Sequence, residues 1–247
     1  VVAGSGGRNP TGIGNSGTGA GGLLVSESNF ATPVTPGGTT GAITIGGGGG
    51  TGSQGSPSSI APGGGLGSIS TTGGGQGKAR GQTGAPGGSG SGGGDGHPNN
   101  TTSGGGSVCG QGNPGGPGGP GEPSGGGGGY GGAGGAPGGH PQYGPGPGYS
   151  SDIASPASAP VTLQYAVGGN GEGAPSCSSF GNNPAWIDAG SPTSGTGRDN
   201  SGMGTLYGNS SDGIVIISEN GNRPVTASGV WTMQEQFTQK KTGVWTS

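Results

Sequence analysis

The chain has 247 residues, of which 75 are glycine and 21 proline, with a formal net charge of −3. Apolar residues reach only 23%, too few for side-chain burial to be the main source of order. The seven Lys and Arg are spread thinly, and no stretch approaches the roughly 20 apolar residues of a spanning helix, so neither nucleic-acid binding nor membrane insertion is expected.

Residues 1–45 form a β-prone opening segment. Leu23-Leu24-Val25, Asn29-Phe30-Ala31 and Ala42-Ile43-Thr44-Ile45 read as short strands between Gly, Asn and Pro turn signals. Val1-Val2-Ala3-Gly4 reads like a strand end entering a glycine-rich turn, which predicts a piece of a longer or processed chain.

Residues 46–210 form the glycine-rich domain, and within it glycine recurs every third residue. One phase holds Gly81, Gly84, Gly87, Gly90, Gly93 and Gly96; a second holds Gly112, Gly115, Gly118 and Gly121. A polyproline II type helix has three residues per turn and no internal hydrogen bonds. Glycine at every third position would leave one face bare, so that a neighbouring backbone can approach and pair with the outward N–H and C=O groups. The expected fold is therefore irregular and glycine-rich, a bundle or sandwich of polyglycine II helices with short flanking β-strands. Collagen-like triple helix competes over 112–123, but the runs are short and their phase breaks at Asn99-Asn100-Thr101-Thr102. Further on, Val161 to Val167 alternates like a strand.

Residues 211–247 read as a C-terminal docking segment. Gly213-Ile214-Val215-Ile216-Ile217-Ser218 is the most apolar run, and Thr232 to Glu235 has capping-box spacing for a short α-helix near 233–241. Trp231, Phe237 and Trp245 exceed what so short a helix can bury alone, and are assigned to docking or assembly.

Gly77-Lys78 is followed by Ala79 where a phosphate loop needs Ser or Thr. His97 and His140 each precede proline without metal-ligand or triad partners. Acidic residues stand singly, so no catalytic, cofactor or metal site is assigned. Cys109 and Cys177 either form one bridge or stay free. Tyr130, Tyr143 and Tyr149 lie in Pro- and Gly-rich sequence, where they either stack on a receptor sugar or loop, or space neighbouring helices.

Together the VxxGxGG start, the Ser-Asn-Phe segment, the GGxGGG runs, the SDGIVIIS strand and the ending GVWTMQEQF through GVW carry a resemblance. The chain resembles the glycine-rich domain common in bacteriophage tail-fibre and other virion structural proteins, and is similar to the polyglycine II distal adhesins of T-even-type phages. The resemblance implies a virion location and homo-oligomeric assembly with other fibre subunits. It also implies loops, among them parts of 97–111 and 140–160, that bind a host cell-surface receptor such as a glycan or outer-membrane protein. A purely architectural fibre role is the alternative.

Overall fold

A glycine contributes to packing little more than its N–H and C=O, so the fold follows from where those groups pair. The computed structural model describes residues 1–9, 14–26, 39, 41–63, 66–121, 123–136, 144–153, 162–172, 200–205 and 210–217. The chain divides into two compact units, Val1–Ile216 and Ile217–Ser247. The composition boundary at 45/46 thus falls inside the first unit, and so does that at 210/211. The expected helix near 233–241, with Trp231, Phe237 and Trp245, lies outside the described residues.

In the first unit most described residues belong to neither helix nor strand. Instead, short segments lie side by side and exchange backbone hydrogen bonds in a register of three. Segment 15–23 is the clearest case. Ser16, Gly19 and Gly22 donate to Lys78, Gly75 and Thr72; Gly17 and Ala20 donate to Gly125 and Gly128; Thr18 and Gly21 donate to Thr205 and Gly202. Its carbonyls accept in the same rhythm, Gly19 and Gly22 from Gly6 and Ala3, Gly17 and Ala20 from Gly92 and Ser89, Asn15 and Thr18 from Glu172 and Gly169. Each neighbour takes every third residue, so one turn of three serves three directions as donor and three as acceptor.

The same connectivity surrounds segment 124–129. It donates to 166–172, 87–96 and 132–136 and accepts from 15–23, 112–119 and 144–148. All of Gly125 to Gly129 are buried. A Cβ at Gly127 would overlap the Thr18 carbonyl oxygen, and one at Gly128 the Asn113 carbonyl oxygen. Five consecutive glycines occur where backbone closes in from every side.

Following the bonds from segment to segment gives stacked layers. The middle layer runs in space 132–136, 124–129, 15–23, 2–7, 46–50. One flanking layer runs 112–119, 87–96, 72–78, 53–57, and the other 144–148, 166–172, 201–205, 210–216. Segments 102–107 and 82–86 pair with one another and lie outside 112–119 and 87–96. Where a carbonyl is missing, a small hydroxyl replaces it. Lys78 N–H donates to Ser16 Oγ, Ala85 N–H to Ser91 Oγ and Thr205 N–H to Thr18 Oγ1. That explains why the buried polar residues are mostly Ser and Thr.

Among the described residues, five short strands extend array segments past one end. They are β1 (Ile43–Thr44), β2 (Ser58–Ile60), β3 (Ile69–Thr71), β4 (Tyr149–Ser151) and β5 (Leu163–Tyr165). β1-β2-β3 make one antiparallel sheet and β4-β5 another, with Ile43 opposite Ile60, Ile60 opposite Ile69 and Tyr149 opposite Tyr165. The change of period shows in burial: Ile69 and Thr71 are buried and Ser70 exposed, the alternation of a half-buried strand. Of the expected strand at 161–167, Leu163–Tyr165 is strand among the described residues, and Val161 lies outside them. In the described part of the expected 213–218 strand, residues 213–217, one bridge forms instead, Val2 to Ile214. Its neighbourhood keeps the three-residue register, Val2 donating to Ile214 and Ser5 to Ser211, which a period-two ladder cannot share.

Gly127→Ala and Gly19→Ala are expected to lower stability by about 3 kcal/mol or more through overpacking against backbone. Gly50 and Gly106 have nothing within 4 Å of a built Cβ, and alanine there is expected to be neutral or to stabilise by up to about 1 kcal/mol. Thermal unfolding of the four variants checks the contrast.

Candidate functional site

The three-residue register fixes the two ends of the array. Along segment 15–23, the Asn15 end meets Lys78, Gly125, Glu172 and Thr205, and the Leu23 end meets Thr72, Gly128, Gly202 and Gln111. These ends differ in chemistry.

At the Leu23 end the chain gathers its apolar side chains. Val2, Ala20, Leu23, Tyr165 and Ala166 form a buried cluster, against which Tyr130, Tyr149, Leu163 and Ile214 pack. A second cluster of Ile60, Leu66 and Ile69 packs Val1, Leu24 and Val215 under the β1–β3 sheet. Around them Ile43, Ile45, Val108 and Ile153 remain exposed.

At the Asn15 end the turns are polar. Arg8, Thr51, Ser53, Gln82, His97, Asn99, Asn100 and Thr101 are exposed. Beneath them Arg80 donates from Nε to both carboxylate oxygens of Asp95, at 2.9 and 3.1 Å. Asp95 is fully buried, and its carboxylate also accepts from His97 N–H. The Asp95 carbonyl accepts from Gly81 N–H. One buried carboxylate therefore ties the turns at 79–82 and 97–99 to the end of segment 87–96.

The turns here also bring cations together. Gly77 donates to the Gly7 carbonyl and Gly52 to the Arg8 carbonyl, which sets Lys78 beside Arg8. With its carboxamide oxygen and nitrogen exchanged, Gln76 accepts from Lys78 Nζ and donates to the Gly52 carbonyl, linking the two segments of this cluster. Arg8, Lys78 and Arg80 are the Lys and Arg residues among the described ones, and all three lie at this end.

The structure distributes the residues singled out by sequence as follows. Gly90, Gly93 and Gly96 form one face, donating to Asn113, Gly116 and Gly119. Gly84 and Gly87 donate instead to Ser103 and Gly106, so one sequence phase serves two neighbours. Gly81 (φ 73°) and Gly121 (φ 91°) occupy turns, in a backbone region that favours glycine. Gly115 and Gly118 donate to Gly105 and Thr102, while a Cβ at Gly112 would meet the Ser89 hydroxyl. Between these glycines Pro114, Pro117 and Pro120 are exposed, on the face where a missing N–H leaves no partner wanting.

Tyr130 and Tyr149 meet edge to face, with ring centroids 5.7 Å apart and an interplanar angle of 84°. Both are half-buried on the apolar cluster. Tyr143 and Cys177 lie outside the described residues; Cys109 is an exposed free thiol on the 109–111 turn. Loop 97–111 is two turns at opposite ends of the array, joined by the paired segment 102–107. Of 140–160, residues 144–148 belong to a layer and 149–151 to β4. The cation cluster was missed in sequence because Arg8, Lys78 and Arg80 meet only through the register of segments 2–7 and 72–78.

No family model, curated protein or solved structure matches the chain. Among the described residues, no group of three His, Cys, Asp or Glu is placed to hold a metal ion.

Arg80→Ala leaves the buried Asp95 carboxylate without its cation. The expected cost is about 2–3 kcal/mol, below the full value for a buried pair because Arg80 is 39% exposed. Arg8→Ala, on the surface, is expected to cost under about 0.5 kcal/mol. Urea unfolding of both variants measures the difference.

Proposed function

We propose that Val1–Ile216 is a sandwich of polyglycine II helices serving as the rigid, non-enzymatic scaffold of a virion fibre or adhesin domain. In this reading the polar turns face a host-surface receptor, and the apolar end joins other fibre subunits in a homo-oligomer. The observation that carries it is the chemical asymmetry of the two ends across a core of backbone hydrogen bonds. Enclosure of segments 15–23 and 124–129 by named neighbours supports the polyglycine II part, because that helix alone combines three residues per turn with outward-pointing backbone groups. Many copies, each binding weakly, would attach by avidity.

A purely architectural role is favoured by a different observation, the exposed Ile43, Ile45, Val108 and Ile153 at the apolar end. Clustered apolar surface marks association, and a fibre that only assembles needs nothing more.

Two measurements test the proposal. Backbone amides of 15–23, 87–96 and 124–129 are expected to exchange at least about a thousandfold more slowly than those of 97–101, since opening an enclosed segment breaks pairing on all its sides. Uniformly fast exchange would remove the scaffold. Fluorescently labelled full-length chain, incubated with a panel of bacterial isolates and sedimented, is expected to be retained by a subset. Self-association without retention by any isolate would leave the architectural role.

A further inference from the structure

We infer that the polar end is a docking surface for an anionic glycan, a sugar polymer bearing phosphate or carboxylate groups. The inference rests on the attachment reading above and names its ligand class. The chain as a whole is acidic, at −3, yet its described cations are concentrated at one end of the array. Segments 2–7 and 72–78 run parallel, Gly4 and Gly7 accepting from Gly74 and Gly77. The parallel register delivers Arg8 and Lys78 to the same edge, and the next turn adds Arg80.

Among the described residues, the carboxylates nearest this end are those of Asp95 and Glu172. Asp95 is fully buried beneath Arg80, and Glu172 is half-buried with one carboxylate oxygen accepting from Asn15 N–H at 2.6 Å. Asp152 follows β4 at the opposite end, and the exposed Asp212 accepts from Gly48 N–H on segment 46–50. Among the described residues the exposed charged side chains at the polar end are thus Arg8 and Arg80, with Lys78 half-buried beside them, and the other exposed groups are hydroxyls, amides and an imidazole, with no exposed aliphatic side chain from Val, Leu, Ile or Met. Such a face suits a hydrated polyanion in place of an apolar protein surface. Cations held on backbone that is itself hydrogen-bonded lose less freedom on binding than cations on a mobile loop.

The test uses full-length chain and the double variant Arg8→Ala/Lys78→Ala, both checked for unchanged unfolding temperature. Arg80 is left intact because it pairs with a buried carboxylate. Binding is measured to immobilised polygalacturonate, phosphomannan and neutral dextran at low and high salt. Wild type is expected to bind at least one polyanion about tenfold or more tightly than dextran, with that preference falling in high salt and lost in the double variant. Polygalacturonate against phosphomannan separates carboxylate from phosphate as the group read. Equal binding to dextran, or an undiminished double variant, overturns the inference. Running both proteins on the bacterial panel separates the two readings. If cells retain wild type and double variant equally, attachment stands and the anionic surface falls. Retention of neither protein, with polyanion selectivity intact, removes host attachment and keeps the surface.

Discussion

Everything in the first unit depends on one interaction, the backbone hydrogen bond between segments, repeated at every third residue. In a conventional domain such bonds complete secondary structure whose position is set by side-chain burial. Here the bonds themselves set position. Segment 15–23 makes its contacts with six neighbours through its own N–H and C=O groups, and replacing any of those partners by water would leave buried amides to be satisfied. Close approach is the condition for the bonds, and lack of a Cβ is the condition for close approach. A Cβ at Gly6, Gly17, Gly19 or Gly105 would each fall on a neighbour's carbonyl oxygen.

That dependence reverses the usual account of glycine. Each one costs roughly 0.5–1 kcal/mol more backbone entropy than alanine, a cost that a flexible linker never offsets. In the array each glycine adds up to two backbone hydrogen bonds, worth about 0.5–1.5 kcal/mol apiece. Proline fits the same scheme from the other side. It presets φ for an extended helix and lacks only the N–H, so Pro114, Pro117 and Pro120 sit every third residue on an exposed face while the Pro114 carbonyl still accepts from Gly134. Composition that would signal disorder in a charged chain here records the geometry of contact.

The legible part of the fold was the repeat of three, because a hydrogen-bond register of three writes its partners directly into sequence spacing. Gly90, Gly93 and Gly96 share a neighbour for that reason. What spacing could not supply was which segment pairs with which, since every glycine run offers the same bare backbone, and Gly84 and Gly87 continue the phase while bonding elsewhere. The strands at 58–60 and 69–71 were illegible as well: Ser58-Ser59-Ile60 and Ile69-Ser70-Thr71 are short, and they become strands only because the array delivers them side by side. The cation cluster was hidden for the same reason, its members lying some seventy residues apart on segments whose pairing no local pattern announces.

The two ends follow from the same physics. Inside the array little room exists for large side chains, Met203 and Val167 being the largest that are fully buried, so most residues with bulk go where segments turn, and each segment contributes to both ends. Apolar residues placed in the turns at one end can bury one another and seal the array, as Val2, Leu23, Tyr165 and Ile214 do. Those at the other end are free of that duty, which allows a hydrated, cationic set of turns held by the Arg80–Asp95 pair. In the proposed reading, a backbone-bonded core would separate assembly from recognition spatially, since residues in the turns lie outside the interaction that holds the fold. The same separation explains why glycines such as Gly127 tolerate no substitution on steric grounds while the neighbouring turns carry the chain's chemical variety.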